Sequence, residues 1–294
     1  MWTHGQCFAQ LTDGLAFAIF ASGMYISSQF GRFFCFSALA TPFLAAAVFG
    51  ILSQRCAVPV VTAMLGGALC AGGLSSVLAT AFHEKGRTDR MTAGLLVYFI
   101  VLACGKALST NATVQRPLTI AAPSDTSALT ILVGVVVLVP IFLAWWAQTL
   151  RGLRVRAFSQ TPEFAGRFGF SEFAPYFPAL LLGETVVGGA GVLTVYLNGN
   201  VNWDYAFIPG MIGIAAASMV ESWLSAKPCI VKCAVLIVVV FLWRVSFSVA
   251  QYCAQEWKSL RDLDYAVMAF LMVVVSMVLM AISRRSLRKR GVDD

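Results

Sequence analysis

Apolar stretches of about 20 residues, the length that crosses a bilayer as a helix, alternate with short polar intervals along this chain. The pattern predicts nine membrane spans: Leu11–Gln29, Phe33–Ser53, Ala57–Phe82, Thr92–Leu108, Ser127–Thr149, Phe173–Leu197, Phe207–Leu224, Pro228–Ala250 and Tyr265–Ser283. A count of eight to ten spans fits the same pattern. The sequence therefore predicts an all-α fold, a polytopic transmembrane helix bundle in which residues 1–294 form a single domain.

The composition supports this class. The chain has 294 residues, of which 59% are apolar and 12% are charged, and its mean hydropathy is +0.80. Soluble domains contain about 25% charged residues. The net charge of +7 comes from short basic patches between apolar runs. Because the positive-inside rule produces this distribution, we expect membrane lipids as partners and no nucleic acid.

The basic residues also predict an orientation. When the basic interval after residue 149 is placed in the cytoplasm, 14 Lys and Arg residues fall in inner loops and 5 in outer loops. Cytoplasmic loops carry an excess of these residues. We therefore expect the N-terminus outside and the C-terminus, which carries the basic cluster 284–290, in the cytoplasm.

Motifs of catalysis are missing from the sequence. It contains no HExxH, no GxSxG and no GxxxxGK[ST] phosphate loop. The eight cysteines are scattered and show neither zinc-ligand nor CxxC spacing. We therefore expect no enzymatic activity, no bound metal and no cofactor in this chain itself.

Few polar groups lie at membrane depth. Glu184, in the sixth predicted span, is the lone acid deep inside a span, and such a residue is either functional or a hydrogen-bonded structural group. Three polar residues follow the same span in a turn on the predicted outer side: Asn198, Asn202 and Asp204. They either face a solute or belong to a solvated loop. Glu221 is expected to pair with Lys227 at the inner surface.

The longest basic interval, at residues 149–170, separates the fifth and sixth predicted spans. Its sequence TLRGLRVRAFSQTPEFAGRFG, Thr149–Gly169, resembles the T-x-x-G-L-x-x-R-A-x-G-x-N-P-x-x-A-x-x-x-G hairpin of bacterial ABC importer permeases of the branched-chain amino acid/ribose class. The similarity is greatest to a poorly characterised subgroup associated with tryptophan/tyrosine-type substrate-binding lipoproteins. Ser159 and Thr161 depart from the pattern, since the subgroup has Gly and Asn there.

Other stretches agree with this subgroup in the same order along the chain. Gly23-Met-Tyr-Ile-Ser27 resembles its G-x-Y-I-S, and Gly213–Glu221 resembles its G-L-A-A-x-x-x-x-E. Trp243-Arg244 and Asp262-Leu263 resemble its Y-R and D-L pairs. Cys35-Phe-Ser37 stands where the subgroup has Asp-Leu-Thr, a candidate solute contact. Because an acid is lost there, the subgroup's substrate is not carried over.

The resemblance implies a permease with a type II ABC importer-like fold in the bacterial cytoplasmic (inner) membrane. Its hairpin would dock a cytoplasmic ABC ATPase dimer, which binds ATP and magnesium, through Gly152, Leu153, Arg156, Ala157, Pro162, Phe164, Ala165, Phe168 and Gly169. A second permease copy, identical or not, and a periplasmic or lipoprotein solute-binding protein would complete the complex. The predicted solute path, for an amino acid-like or other small metabolite, comprises Tyr25, Glu184, Asn198, Asn202 and Asp204.

Two other classes of function remain open from the residues. An ion-coupled secondary transporter uses charges at the membrane midplane, and Glu184 is the feature that favours it here. A non-transporting membrane assembly protein would share the same apolar spans. Association with an ATPase separates the ABC permease from both.

Overall fold

The computed structural model describes residues 4–30, 36–56, 58–84, 86, 88–109, 113–115, 125–160, 176–202, 213, 216–221, 223–224 and 227–255. The fold is mostly helical. The elements, in chain order, are α1 (His4–Gln29), a 3-10 helix (Phe36–Leu39), α2 (Thr41–Gln54), α3 (Val60–Glu84), α4 (Arg90–Leu108), β1 (Thr113–Gln115), α5 (Asp125–Gln148), α6 (Leu150–Gln160), α7 (Phe177–Asn198), β2 (Asn200–Asn202) and α8 (Cys229–Gln255). Residues 213, 216–221 and 223 are also helical.

Four helices in the described part of the chain are long and apolar enough to cross a membrane: Val60–Glu84, Arg90–Leu108, Thr130–Gln148 and Phe177–Asn198. Large apolar side chains such as Leu69 and Phe99 lie exposed on their outer faces, as expected of surfaces that contact lipid. The chain is therefore a helical membrane protein, and the predicted nine spans are not established. The last predicted span, Tyr265–Ser283, lies outside the described residues, and Phe207–Leu224 is described only in part.

The predicted second span, Phe33–Ser53, is described from residue 36 and does not form one long α-helix there. Its described part is the short 3-10 helix followed by α2, whose 14 residues cover about 21 Å, less than the roughly 30 Å of a bilayer core. Pro42 lies in the first turn of α2, where its missing N–H costs nothing because that position has no acceptor within the helix. Hydropathy did not reveal this break because both sides of it are apolar.

Helix α7 lies at the centre of the bundle and contacts α1, α2 and α3. Glycines permit the close approach. A Cβ on Gly23 of α1 would lie 2.7 Å from the carbonyl oxygen of Gly183, and one on Gly72 of α3 would lie 2.6 Å from the backbone nitrogen of Thr185. Small residues let membrane helices pack backbone to backbone, so these contacts fix α7 against two neighbours.

The two ends of the bundle differ. At one, which we call the sheet end, β1 pairs antiparallel with β2, with Val114 opposite Val201. At the other, the hairpin end, α5 meets α6 and α4 begins. There the guanidinium of Arg90 lies 5.5 Å from the centre of the Tyr176 ring, directly before α7. Asp89 caps α4, and its hydrogen bonds with Thr92 lower the pKa of its carboxyl. The helices therefore join a small sheet to the segment predicted to dock an ATPase.

Candidate functional site

A buried carboxyl group lies beside the start of α2. Glu184, the eighth residue of α7, has no exposed surface. Thr41 Oγ1 lies 2.7 Å from its Oε2, and Ser37 Oγ donates to its Oε1 at 3.1 Å. Ser75 Oγ of α3 lies 2.9 Å from Thr41 Oγ1. These four residues, the carboxyl cluster, join α7 to the 3-10 helix, α2 and α3.

Three oxygen atoms lie around the Thr41 hydroxyl, which has a single hydrogen to donate. Besides Glu184 and Ser75, it lies 2.9 Å from the carbonyl oxygen of Ser37. A threonine hydroxyl donates one hydrogen and accepts two. With Glu184 ionised, Thr41 donates to the carboxylate; with Glu184 protonated, the acid donates to Thr41, which then donates to the Ser37 carbonyl. The carboxyl cluster therefore has a hydrogen-bonded arrangement for each state of Glu184.

The carboxyl cluster lies where the short helix α2 begins inside the bundle. Helix α2 starts at Thr41, beside Glu184, which lies about 10 Å along an α7 of about 33 Å. Transporters commonly place half-helix ends of this kind at the solute or ion site near the midplane. Glu184 is fully buried in this conformation and is not accessible from outside the bundle.

The structure does not bring the predicted solute-path residues together. Asn198 lies at the sheet end of α7, 14 residues or about 21 Å beyond Glu184, with its Oδ1 3.4 Å from Thr12 Oγ1. Asn202 is the last residue of β2 and is paired with Thr113. Asp204 lies outside the described residues. The described residues of the predicted path therefore lie at different depths along α7 and β2, and their role in solute transport stays a prediction.

Tyr25 belongs to another polar group. Its hydroxyl donates to Glu221 Oε2 at 3.0 Å, and Lys232 Nζ of α8 lies 2.6 Å from Glu221 Oε1. We call Tyr25, Glu221 and Lys232 the polar link. The expected pairing of Glu221 with Lys227 is wrong, because Lys232 in the first turn of α8 reaches the carboxylate instead. Two stretches that carry the family resemblance, 23–27 and 213–221, meet in this contact.

Sequence reasoning missed the partners of Glu184. Ser37, Thr41 and Ser75 are hydroxyl residues inside apolar runs, a common feature of membrane helices. The four-residue spacing of Ser37 and Thr41 beside Pro42 was the available signal, since side-chain hydroxyls and proline together favour a helix start. It was not recognised as a break in the second span.

The first half of the predicted coupling hairpin is a helix, α6, set against α5. A Cβ on Gly152 would collide with the backbone of Trp146, so only glycine fits this corner. Leu153 and Ala157 are exposed, and α6 contains Arg156. The remaining predicted coupling residues lie outside the described part of the chain: Pro162, Phe164, Ala165, Phe168 and Gly169.

One face of α6 anchors it to the bundle. Val155 is 1% exposed and belongs to the apolar cluster that includes Tyr25, Phe30 and Leu236. The hydroxyl of Tyr176 donates to the carbonyl oxygen of Phe158 at 2.9 Å. Leu150, Leu153 and Arg154 are exposed away from this face, and Arg151, one turn before Val155, is exposed as well. Helix α6 is thus anchored to the bundle along one face, and its other side is exposed.

Comparisons with known proteins identify no relative: no family model matches the chain, and neither a curated protein nor a solved structure matches it. Within the described residues, no group of three or more His, Cys, Asp or Glu side chains could hold a metal ion. The carboxyl cluster, the polar link and α6 are the features of the described residues that bear on function.

Proposed function

We propose that the chain is the permease subunit of an ATP-binding cassette importer, which translocates a small solute, amino acid-like or another small metabolite, delivered by a binding protein. The observation that carries this proposal is α6, an anchored helix whose outer face combines apolar and basic residues. Leu150 is 78% exposed and Leu153 is 49% exposed, next to the exposed Arg151 and Arg154. Together with the hairpin resemblance, this face fits a protein partner.

The exposed leucines of α6 differ in their position from those of α3 and α4. Leucines on α3 or α4 face lipid along a membrane span, whereas α6 follows the end of α5 and has one charged residue in every three or so. A polar helix at the end of a bundle gains little from lipid tails. Apolar anchors surrounded by arginines are typical of a protein interface. We therefore assign α6 and the following segment to an ABC ATPase.

In this account the carboxyl cluster belongs to the moving part of the permease. Closure of the ATPase dimer on ATP would displace α6, and the helices around Glu184 would separate to open a path. The complex would contain two permease subunits, identical or not. ATP and magnesium would be bound by the ATPase, and the C-terminus would be cytoplasmic in the bacterial inner membrane.

The carboxyl cluster favours one alternative. A buried acid at the start of a half-helix is also typical of an ion-coupled secondary transporter, in which Glu184 would bind a proton or cation. That function needs no ATPase. A membrane assembly protein has no comparable observation in its favour.

The test is purification of the tagged chain from membranes of its own host in a mild detergent. The proposal predicts stoichiometric recovery of a protein with a GxxxxGK[ST] phosphate loop, together with vanadate-sensitive ATP hydrolysis. Absence of such a subunit, combined with solute uptake into cells that stops with a protonophore but continues after ATP depletion, would contradict it and support the ion-coupled alternative.

A further inference from the structure

We infer that the polar link of Tyr25, Glu221 and Lys232 is a positioning element that transmits movement of the α5–α6 corner to α8. This inference rests on the proposed function, since the movement would come from an ATPase docked on α6. It assigns to these three residues a role in coupling and removes Tyr25 from the solute path.

The three residues of the polar link lie close to one end of the bundle. Tyr25 lies one turn before the end of α1, and Lys232 is the fourth residue of α8. Glu221 belongs to the helical residues 216–221. Phe30, directly after α1, contacts Trp146 in the last turn of α5. The polar link therefore lies near the hairpin end of the bundle, beside the corner where α6 begins.

The second argument is a continuous series of contacts. The rings of Trp146 and Phe30 meet edge to face with centroids 5.9 Å apart, and those of Phe30 and Tyr25 do so at 6.3 Å. The hydroxyl of Tyr25 then donates to Glu221, whose other oxygen accepts from Lys232. A shift of α5 against α1 thus reaches α8 through packed rings and charged hydrogen bonds.

The third argument is that Glu221 offers two oxygens to two different helices. Separation of α1 from α8 would weaken at least one of its two hydrogen bonds, and bonds to a charged group are about twice as strong as neutral ones. Lys232 is 8% exposed, and Val220 and Leu236 belong to the apolar cluster around the polar link. Because Lys232 is buried, it has little water to replace a lost partner. The polar link therefore holds α1 and α8 together as one moving unit.

A native cysteine reports on this movement. Cys233 follows Lys232 in α8, is fully buried and belongs to the same apolar cluster as Tyr25. Cys56 is exposed just before α3, outside that cluster, and provides an internal reference. The complex of permease and ATPase in lipid nanodiscs is treated with N-ethylmaleimide, without nucleotide and with ATP plus vanadate. Peptide mass spectrometry then gives the labelling rate at each cysteine.

We expect nucleotide to change the Cys233 labelling rate about tenfold relative to Cys56, which corresponds to 1.4 kcal/mol of altered opening. Tyr25→Phe should retain the ATPase and its hydrolysis but lose most of the nucleotide response. Tyr98→Phe removes the same atom from a tyrosine of α4 and should leave the response unchanged. A merely structural role for Tyr25 would lower thermal stability without changing the response to nucleotide.

A double variant covers the case in which removal of a single charge prevents folding. Glu221→Gln/Lys232→Met removes both charges with little change in volume and leaves no buried charge unpaired. It should fold, retain the ATPase and show no nucleotide response at Cys233. A normal response in this variant or in Tyr25→Phe, or a wild-type Cys233 that ignores nucleotide, would overturn the inference. Failure of the proposed function is a different result: no ATPase would be bound at all.

Discussion

Thr41 and Glu184 are 143 residues apart in sequence, yet Thr41 Oγ1 lies 2.7 Å from the carboxyl oxygen Oε2 of Glu184 in the interior of the bundle. This contact joins the first turn of the half-helix α2 to the central helix α7. Since the carboxyl has no exposed surface, removal of the Thr41 hydroxyl takes one hydrogen bond from a buried group that water does not reach. The first prediction follows from this relationship.

Thr41→Val keeps the shape of the side chain but removes the hydroxyl. We expect a loss of stability of about 1–3 kcal/mol, the range for removing a hydrogen bond to a buried carboxyl group. Ser76→Ala is the control: Ser76 is equally buried on α3, but its hydroxyl donates only to Gly72 of its own helix. Thermal unfolding in detergent should show a clearly larger decrease for Thr41→Val. Equal decreases would mean that the carboxyl cluster contributes nothing specific.

The second prediction concerns the close approach of α3 to α7. Gly72→Ala places a methyl group 2.6 Å from the backbone nitrogen of Thr185 and should destabilise by about 1–3 kcal/mol, as overpacking does. A Cβ on the neighbouring Gly73 meets no atom within 4 Å. Gly73→Ala should therefore be neutral or slightly stabilising. Unfolding curves of the two variants test this prediction. An unchanged stability of Gly72→Ala would contradict the packing described for α7.

The third prediction tests orientation with the two ends of α3. Cys56 is exposed just before α3 at the sheet end, and Glu84 is exposed at its other end. In intact cells, a membrane-impermeant maleimide should label Cys56. The maleimide should label Glu84→Cys only after the inner membrane is opened. Likewise, a tag fused after Asp294 should become accessible only then. The reverse pattern would invert the predicted topology.

The sequence predicted the helical membrane class because hydropathy reports burial in lipid directly. It also identified Glu184, since an acid inside an apolar run is conspicuous. It could not identify Ser37 and Thr41 as partners of Glu184, because their approach depends on how α2 and α7 pack. The break before α2 was missed for a related reason: hydropathy averages over a window and does not register which backbone hydrogen bonds form.

The polar link shows a second limit of sequence reasoning. Glu221 was paired with Lys227 because the two are close in sequence, and the structure pairs it with Lys232, one turn into α8. Tyr25 was placed with Glu184 on one solute path. The α1 helix directs its hydroxyl toward Glu221 instead. The sequence shows which charged residues are available to form an ion pair, but the packing of the helices determines which of them are in contact.

The central claim is that α6 and the segment after it dock an ATPase, and Phe164 and Phe168 are the predicted anchors. Loss of a buried aromatic anchor commonly costs about 2 kcal/mol or more, roughly a thirtyfold loss of affinity. Leu153→Ala should weaken the same contact. Leu69→Ala, at a leucine of similar exposure on the lipid face of α3, serves as the control.

The decisive measurement is therefore the amount of ATPase retained per permease after affinity purification. It is measured for the wild type, Phe164→Ala/Phe168→Ala, Leu153→Ala and Leu69→Ala, with membrane levels of each permease determined in parallel. The account predicts normal insertion of all four, full retention by the wild type and Leu69→Ala, and strong loss in the other two. Equal retention by all four proteins would contradict the docking role.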